Sequence, residues 1–583
     1  MTSLLDADSF LVVDVGTVNT RAVLFDVVEG RYRFVASGTA PSTAKAPFNN
    51  VGEGVRLALD RLQTITGRTL IGADEQLIIP SAPDGSGIDR FAATLSAGEP
   101  LKVVVVGLLE DISLESARRL AASTYANVQG AFSLNDRRRT DTRINLLLRQ
   151  RPDLIIAAGG TQGGASQSVI QMLEAVGLYG YLTGSSGRPE LLFAGNDSLK
   201  DEIQESLGPV TNLHFAPNLR PDLETEQIEG ARAEMARMYT QVRAKQIPGV
   251  DELNRWAGGG LLPTASAFGR IVRIQSKTHA TRKGVLGIDL GAGAISVAAA
   301  YDGSLSLNVF PQYGMGSPVY ESDPGALEAI SSWLALDMPL DDLRDYLYNK
   351  ALLPDSLPAT AEEMAIEQAL ARYLMRSALK AAAPGFPAAA QPLATGLLPA
   401  FEPIIAAGGV LAGAPNVAHS TLMMLDGIQP TGITTMVLDQ HNMVSALGAA
   451  AAQNPTLVVQ VLDSNSLLHI GTVIAPLARV RSGEPVLRLK IVYESGYEAS
   501  LEVKQGSLEM LPLPAGQMAK LQLQPLHRAD IGMGAPGRGG GLRVMGGVLG
   551  VIIDARGRPL NLPADRGRRA ELYKKWLWNL GGQ

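Results

Sequence analysis

Phe10-Leu11-Val12-Val13-Asp14-Val15-Gly16-Thr17-Val18-Asn19-Thr20 is the stretch whose reading decides the fold, and Arg21-Ala22-Val23-Leu24-Phe25-Asp26 follows it directly. Two short β-branched runs enclose a small polar turn, which is the pattern of a β-hairpin. Backbone N–H groups in such a turn can surround phosphate oxygens, hydroxyls can add contacts, and a carboxylate at the strand end can hold Mg²⁺ through water. Gly-Thr-Asn turns are also ordinary hairpin chemistry, so the stretch does not decide function alone. A second block, Gly284-Val285-Leu286-Gly287-Ile288-Asp289-Leu290-Gly291-Ala292-Gly293-Ala294-Ile295-Ser296, repeats the arrangement around another aspartate. The likeness of the two blocks reads as a weak internal repeat. A third element, Ile404-Ile405-Ala406-Ala407-Gly408-Gly409-Val410-Leu411, is a strand running into a glycine turn.

Working outward, Arg31–Ser37 continues the first block as a third strand, and a helix is expected over Val51–Gln63. From about residue 74 the pattern changes. Leu101–Gly107 is a nearly continuous apolar run, the mark of a strand buried on both faces. Helical spacing over Ser113–Ser123, Arg138–Gln150 and Gly164–Val176 alternates with strands at Ala126–Phe132, Asp153–Ala158, Leu191–Gly195 and Val210–Phe215. Such a series predicts a parallel sheet with helices on both faces. Gly159-Gly160-Thr161-Gln162-Gly163-Gly164 links one strand to its helix and can be read either as an anion-binding turn or as a tight βα turn. It lacks the lysine of a P-loop. Ala-rich helical sequence fills roughly 325–385. From about 453 short runs such as Val486–Val492, Glu498–Val503 and Met518–Leu523 are separated by Gly, Pro and Ser turns and predict a β-barrel or sandwich. Arg569–Leu580 reads as a short helix whose Tyr573, Trp576 and Trp578 are expected to pack.

The 583 residues are 46% hydrophobic, too long for one core, and roughly three or four domains are expected. A net charge of −6 offers no basic surplus for nucleic acid. The absence of cysteine excludes disulfides, thiolate metal sites and cysteine nucleophiles, and it fits a reducing compartment. Six scattered histidines provide no zinc-ligand spacing, and His419 and His441 read as surface or core-edge residues. The first residues lack the pattern of a signal peptide, and no apolar window is long enough to span a bilayer. A cytoplasmic protein is expected.

The two hairpins together with the strand–Gly-Gly–helix element resemble the three-part pattern of the actin/sugar kinase/heat-shock chaperone superfamily. That resemblance implies an α/β fold: an actin-like ATPase core of two ribonuclease-H-like lobes, here with an inserted parallel α/β (Rossmann-like) domain and a C-terminal all-β domain. The implied division is 1–73 with 246–283 for the first lobe, 74–245 for the insert, 284–452 for the second lobe, and 453–583 for the β-rich end with its terminal helix. By the same resemblance Asp14 and Asp289 hold Mg²⁺, and Gly16, Thr17, Asn19, Thr20, Gly291 and Gly293 receive the phosphates of ATP or ADP. Gly408, Gly409 and Val410 face the adenosine, where side chains would block the base.

Pro152-Asp153-Leu154-Ile155-Ile156-Ala157-Ala158-Gly159-Gly160-Thr161-Gln162-Gly163-Gly164 sharpens the resemblance. It is similar to a stretch of the glutamate mutase L (GlmL, or MutL) family, as are Val104–Leu108, Phe193–Asn196, Ala216–Pro221, Ala407–Leu411, Leu438-Asp439 and Ala446-Leu447-Gly448. The resemblance covers roughly residues 8–452. It implies a chaperone-like ATPase that works beside an adenosylcobalamin-dependent glutamate (methylaspartate) mutase and exchanges damaged cobalamin.

Three departures bear on turnover. Where the family's second hairpin resembles Asp-Ile-Gly-Gly-Ala-Thr-Thr-Asp, this chain has Ala294, Ile295 and Ser296 in place of two hydroxyls and a carboxylate. Each lost charge-assisted contact costs on the order of 1.5–3 kcal/mol. Pro311-Gln312-Tyr313-Gly314-Met315-Gly316 stands where relatives carry an acidic segment, and the β-rich end lies outside the minimal pattern. Nucleotide binding with weak or absent hydrolysis is expected, and no catalytic residue is assigned. The rival reading is a non-catalytic scaffold of actin-like fold that self-assembles into an oligomer or filament, or binds a protein partner through its β-rich end. A small-molecule kinase would use the same phosphate machinery.

Overall fold

The computed structural model describes residues 8–184, 187–278 and 283–582. Strands β1 (Phe10–Val15), β2 (Asn19–Val28) and β3 (Arg31–Pro41) form an antiparallel meander, and β4 (Arg90–Leu95) adds to β1 in parallel. An insert follows with β5 (Leu101–Gly107), β6 (Ala126–Ser133), β7 (Leu154–Ala158), β8 (Glu190–Phe193) and β9 (Asn212–Phe215). The chain then returns as β10 (Leu262–Pro263), parallel to β4. The first sheet therefore runs β3-β2-β1-β4-β10.

The second lobe repeats this order. Its strands β11 (Val285–Leu290), β12 (Ile295–Tyr301) and β13 (Ser304–Phe310) form the meander, and β14 (Ile404–Ala407) and β15 (Gly432–Leu438) add in parallel, giving β13-β12-β11-β14-β15. Two lobes with one strand order make the two-lobed actin-like core. Two helices cross between them. Thr264–Thr278 packs on β11, β12 and β13, whereas Met443–Ala450, which follows the second lobe's strands, packs on β1 and β4. Where these helices meet, a Cβ on Gly448 would collide with the Ala267 carbonyl, so only glycine allows the crossing.

The insert is an all-parallel sheet of order β6-β5-β7-β8-β9, a doubly wound arrangement. Both faces of β5 are buried, which is why its valines run without alternation. Val104 and Val106 face the insert's own core, and Val103 and Val105 join the core of the first lobe.

After β15 the second sheet continues, taking in β16 (Leu468–Ala475), antiparallel to β15. Strands β17 (Pro485–Tyr493), β18 (Glu498–Lys504), β19 (Leu508–Leu511), β20 (Met518–Pro525), β21 (Gly540–Met545) and β22 (Val551–Asp554) complete the chain's strands. β17, β18, β20 and β21 make a separate antiparallel sheet, whereas β22 and β19 extend the second lobe's sheet beyond β16. Sequence boundaries at 74 and 453 thus differ from sheet membership. β4 belongs with the first sheet and β16, β19 and β22 with the second, because strand pairing follows space rather than sequence.

A buried ionic network ties the β-rich end to the second lobe. Asp426 accepts from Arg372 at 2.8 Å and Arg556 at 2.7 Å, and Asp554 pairs with Arg556 and Arg558. Burial opposes the Asp554 charge, yet the Arg556 and Arg558 guanidiniums hold its carboxyl well below the usual range. Arg556 lies over the Trp576 ring, 4.6 Å from its centroid, and Arg372 over Tyr573 at 4.9 Å. The terminal helix Arg566–Asn579 therefore buries Trp576, while Trp578 stays 71% exposed. Among the described residues no helix is long and apolar enough to cross a membrane.

Candidate nucleotide cleft

The turns after β1 and β11 close in the same way. Gly16 N–H donates to the Asn19 carbonyl at 2.9 Å, and Gly291 N–H to that of Ala294 at 3.0 Å. A Cβ on either glycine would stand 2.8 or 2.9 Å from that carbonyl oxygen, closer than real contacts allow. The two turns approach each other so nearly that a Cβ on Gly293 would collide with the Thr17 hydroxyl. Behind the second turn, Met315 N–H donates to the Gly291 carbonyl at 3.0 Å and Gly316 N–H to that of Ala292 at 2.8 Å. The Pro311–Gly316 segment is thus the backbone brace of that hairpin.

A cavity of about 680 Å³ lies between the lobes. Asp14, Gly16, Thr17, Asn19, Asp289, Gly291, Gly293, Gly408, Gly409 and Val410 all line it, so three distant sequence elements converge on one space. Thr20 does not line it. It is fully buried, and a Cβ on Gly54 would stand 3.1 Å from its hydroxyl, which places that hydroxyl toward the helix Val51–Thr66. Ile295, the matching residue of the second turn, is likewise fully buried in the second lobe's core. Alternation along a strand turns both positions inward, so Thr20 leaves the phosphate set and only Ala294 among the altered positions 294 and 295 faces the cleft.

The two glycines of the third element serve different ends. Gly408 has φ +122° and a Cβ there would strike the Leu290 carbonyl, so its own backbone requires glycine. A Cβ on Gly409 would meet nothing within 4 Å, and this is the glycine that leaves room in the cleft. Asn442 holds the turn by accepting the Gly408 N–H at 3.2 Å.

Sequence reading missed several lining residues: Arg21, Tyr125, Thr264, Lys350, Glu367 and Asp439. Asp14 accepts hydrogen bonds from the Thr94 hydroxyl at 2.6 Å and the Thr264 hydroxyl at 2.8 Å. Asp439 accepts the Met443 and Val444 N–H groups at 2.9 and 2.7 Å, capping the crossing helix. Burial pushes the Asp439 carboxyl up despite those amides. Burial also lifts Asp289 to about 7, with the Asp14 and Asp439 charges adding to the effect. Lys350 and Glu367 form a buried pair at 2.6 Å, and Lys350 also donates to the Ser356 carbonyl at 2.5 Å. Asp439 lay in a motif already noted, whereas Tyr125 and Thr264 come from segments with no local signature.

Among the described residues no group of three His, Cys, Asp or Glu is placed to hold a metal directly. The oxygen-only donors Asp14 and Asp289 fit Mg²⁺, which keeps several waters and takes only one or two carboxylates. Burial is the main cause of the raised Asp289, and the Asp14 and Asp439 charges that add to it are what such a cation relieves. Three amides of Gly159–Gly164 are already engaged: Gln162 N–H goes to the Pro221 carbonyl, Gly163 N–H to Asn196 Oδ1 and Gly164 N–H to the Thr161 carbonyl, as in a tight βα turn. His419 and His441 do not line the cleft; His441 stacks on Phe34 at 5.0 Å.

Two ribonuclease-H-like lobes with opposed hairpins over an interlobe cavity define an actin-like ATPase fold. The chain belongs to the MutL protein family, which matches residues 10–466. Protein MutL of Clostridium tetanomorphum is 22% identical over 396 residues, covering 64% of this chain and 78% of that one. Similar solved structures include nucleotide-free acetone carboxylase, at 12% identity over 86% of this chain and 81% of that one with a TM-score of 0.31. Nucleotide-free diol dehydratase-reactivating factor aligns at 11% identity over 77% of this chain and all of the other, TM-score 0.30. A ROK family glucokinase from Streptomyces griseus, in complex with glucose and AMPPNP, aligns at 12% identity over 76% and 98%, TM-score 0.28.

Proposed function

We propose that this chain binds Mg·ADP or Mg·ATP between its lobes, hydrolyses ATP weakly or not at all, and acts as a chaperone-like factor on a protein partner, an adenosylcobalamin-dependent mutase. The observation that carries the nucleotide reading is the convergence of both hairpins and the Gly408-Gly409 turn on one cavity lined by Asp14, Asp289 and Asp439. The mutase partner follows from the glutamate mutase L resemblance.

In this reading the Gly16 and Thr17 turn receives phosphate oxygens, Arg21 adds a positive charge that acts on Asp289, and the open space at Gly409 admits the base. Mg²⁺, when bound, would neutralise phosphate charge beside Asp14 and Asp289. Closure of the lobes on nucleotide changes partner affinity only if the two states bind nucleotide differently. Weak turnover follows from the second hairpin, where Ala294, Ile295 and Ser296 replace two hydroxyls and a carboxylate, and from the absence of an acid in Pro311–Gly316.

Titration calorimetry with Mg·ADP and Mg·ATP tests the binding: heat and a rise in melting temperature are expected, and neither appearing ends the nucleotide reading. A pull-down from native lysate with and without nucleotide tests the partner. Recovery of self-assembled polymer alone favours the scaffold reading, which the bare second hairpin already supports.

A further inference from the structure

Tyr125 belongs to the insert, immediately before β6, yet it lines the cleft between the lobes. Its side chain is 7% exposed and packs on Tyr239, with ring centroids 5.8 Å apart. The phenol oxygen accepts the Ala265 N–H at 3.1 Å, from the first turn of the crossing helix Thr264–Thr278. One residue earlier in that helix, Thr264 donates to Asp14. With its oxygen so engaged, the hydroxyl proton is left to donate elsewhere; Ser296 is its hydrogen-bonding neighbour, and the Asp289, Tyr239 and Asp14 charges bear on the phenol. The same short segment also reaches the second lobe, since Ala122 accepts the Val309 N–H of β13 at 2.7 Å. Farther along the insert, Arg232 donates to the Leu305 carbonyl at 3.1 Å, also on β13. Ala122–Tyr125 is therefore a stitch between both lobes, with its last side chain in the cleft.

We propose that Tyr125 is the insert's own contribution to phosphate binding: its hydroxyl donates into the phosphate end of the cleft, so that occupancy tightens the insert against both lobes. This rests on the nucleotide reading above. A donor to a charged group is worth roughly tenfold or more in affinity. Tyr125→Phe keeps the ring and its packing on Tyr239 and removes only the hydroxyl. Tyr239→Phe is the control, because the Tyr239 hydroxyl is buried without a hydrogen-bond partner and does not line the cleft.

Calorimetry with Mg·ADP and with adenosine on the full chain separates the outcomes. Tyr125→Phe should weaken Mg·ADP about tenfold, leave adenosine unchanged, and melt somewhat below wild type because the Ala265 N–H loses its acceptor; Tyr239→Phe should change neither ligand. In hydrogen–deuterium exchange, residues 122–128 should slow on adding Mg·ADP to wild type and not to Tyr125→Phe. Wild-type binding of Mg·ADP with equal binding by Tyr125→Phe overturns the inference and spares the nucleotide reading. Equal weakening of Mg·ADP and adenosine overturns it too, as a packing effect. No Mg·ADP heat from wild type removes the nucleotide reading and this inference with it.

Discussion

The two hairpins are one backbone turn carrying two different sets of side chains. Gly16 and Gly291 donate the same hydrogen bond and are equally barred from a Cβ. Thr17 and Asn19 of the first turn correspond to Ala292 and Ala294 of the second. Asp14 is held by two threonine hydroxyls, whereas among the described residues no hydrogen bond is made to the Asp289 carboxylate, which burial and its neighbouring aspartates lift to about 7. Geometry has been kept where chemistry has not. In the proposed nucleotide reading, the second lobe supplies shape and a weakly charged wall, while the first supplies the specific contacts.

The largest effect expected from this asymmetry comes from removing each aspartate in turn. Asp14→Ala deletes a proposed Mg²⁺ ligand and strands the Thr94 and Thr264 hydroxyls, so Mg·ADP affinity should fall roughly 100-fold or more. Asp289→Ala should cost only about tenfold. Calorimetry on both variants checks this, and equal losses would break the comparison.

A second prediction uses pH on the nucleotide-free protein. Asp289 has a folded-state value of about 7 against an ordinary 3.8. A carboxyl raised in this way contributes stability below the unfolded value and loses it as pH rises through the folded one. Relative to wild type, Asp289→Asn should therefore gain stability between pH 4 and 8, on the order of 4 kcal/mol at the upper end. Asp14→Asn, which disturbs the Thr94 and Thr264 bonds, should be less stable than wild type at pH 8. Urea unfolding at pH 5 and pH 8 reads both; a flat Asp289→Asn difference would count against the buried, repelled carboxylate.

Much of this was legible in local sequence. Both hairpins, the parallel strands of the insert and the Gly408-Gly409 turn follow from periodicity and turn chemistry, which short stretches carry in full. What escaped depends on distance along the chain. β4 pairs with β1 across most of the first lobe's sequence, and its Ala92 and Ala93 give little strand signal. β16 follows the two helices that pack on the first lobe, so its return to the second sheet has no local mark. In the cleft, Arg21 sat inside the quoted motif but its neighbourhood with Asp289 and Asp439 is set by lobe docking. Thr20 is assigned to phosphate by the family resemblance, and strand alternation turns it away from the cleft.

A smaller effect should come from giving the second hairpin back a hydroxyl. Ala294 lines the cleft, so Ala294→Thr should tighten Mg·ADP by roughly 3–10-fold, less than a full charge-assisted bond because the new side chain must be ordered. Phosphate release from ATP should stay at the wild-type level, since Pro311–Gly316 still lacks an acid. A large gain in turnover would mean that the hydroxyl alone limits hydrolysis.

The smallest effect tests the pair of inward positions, Thr20 and Ile295. They occupy equivalent places in the two turns and both are fully buried. The first lobe leaves a hydroxyl there without a hydrogen-bond partner, and the second lobe has an aliphatic side chain. A buried hydroxyl that makes no bond carries a desolvation cost, so Thr20→Val should leave stability unchanged or raise it by about 1 kcal/mol. Mg·ADP affinity should not move, because the side chain lies outside the cleft. A phosphate-binding Thr20 would show the opposite pattern, with affinity lost and melting temperature kept. Calorimetry and thermal melting on this one variant therefore decide whether the first hairpin's advantage lies in Thr17, Asn19 and Asp14, or extends one residue further into the strand.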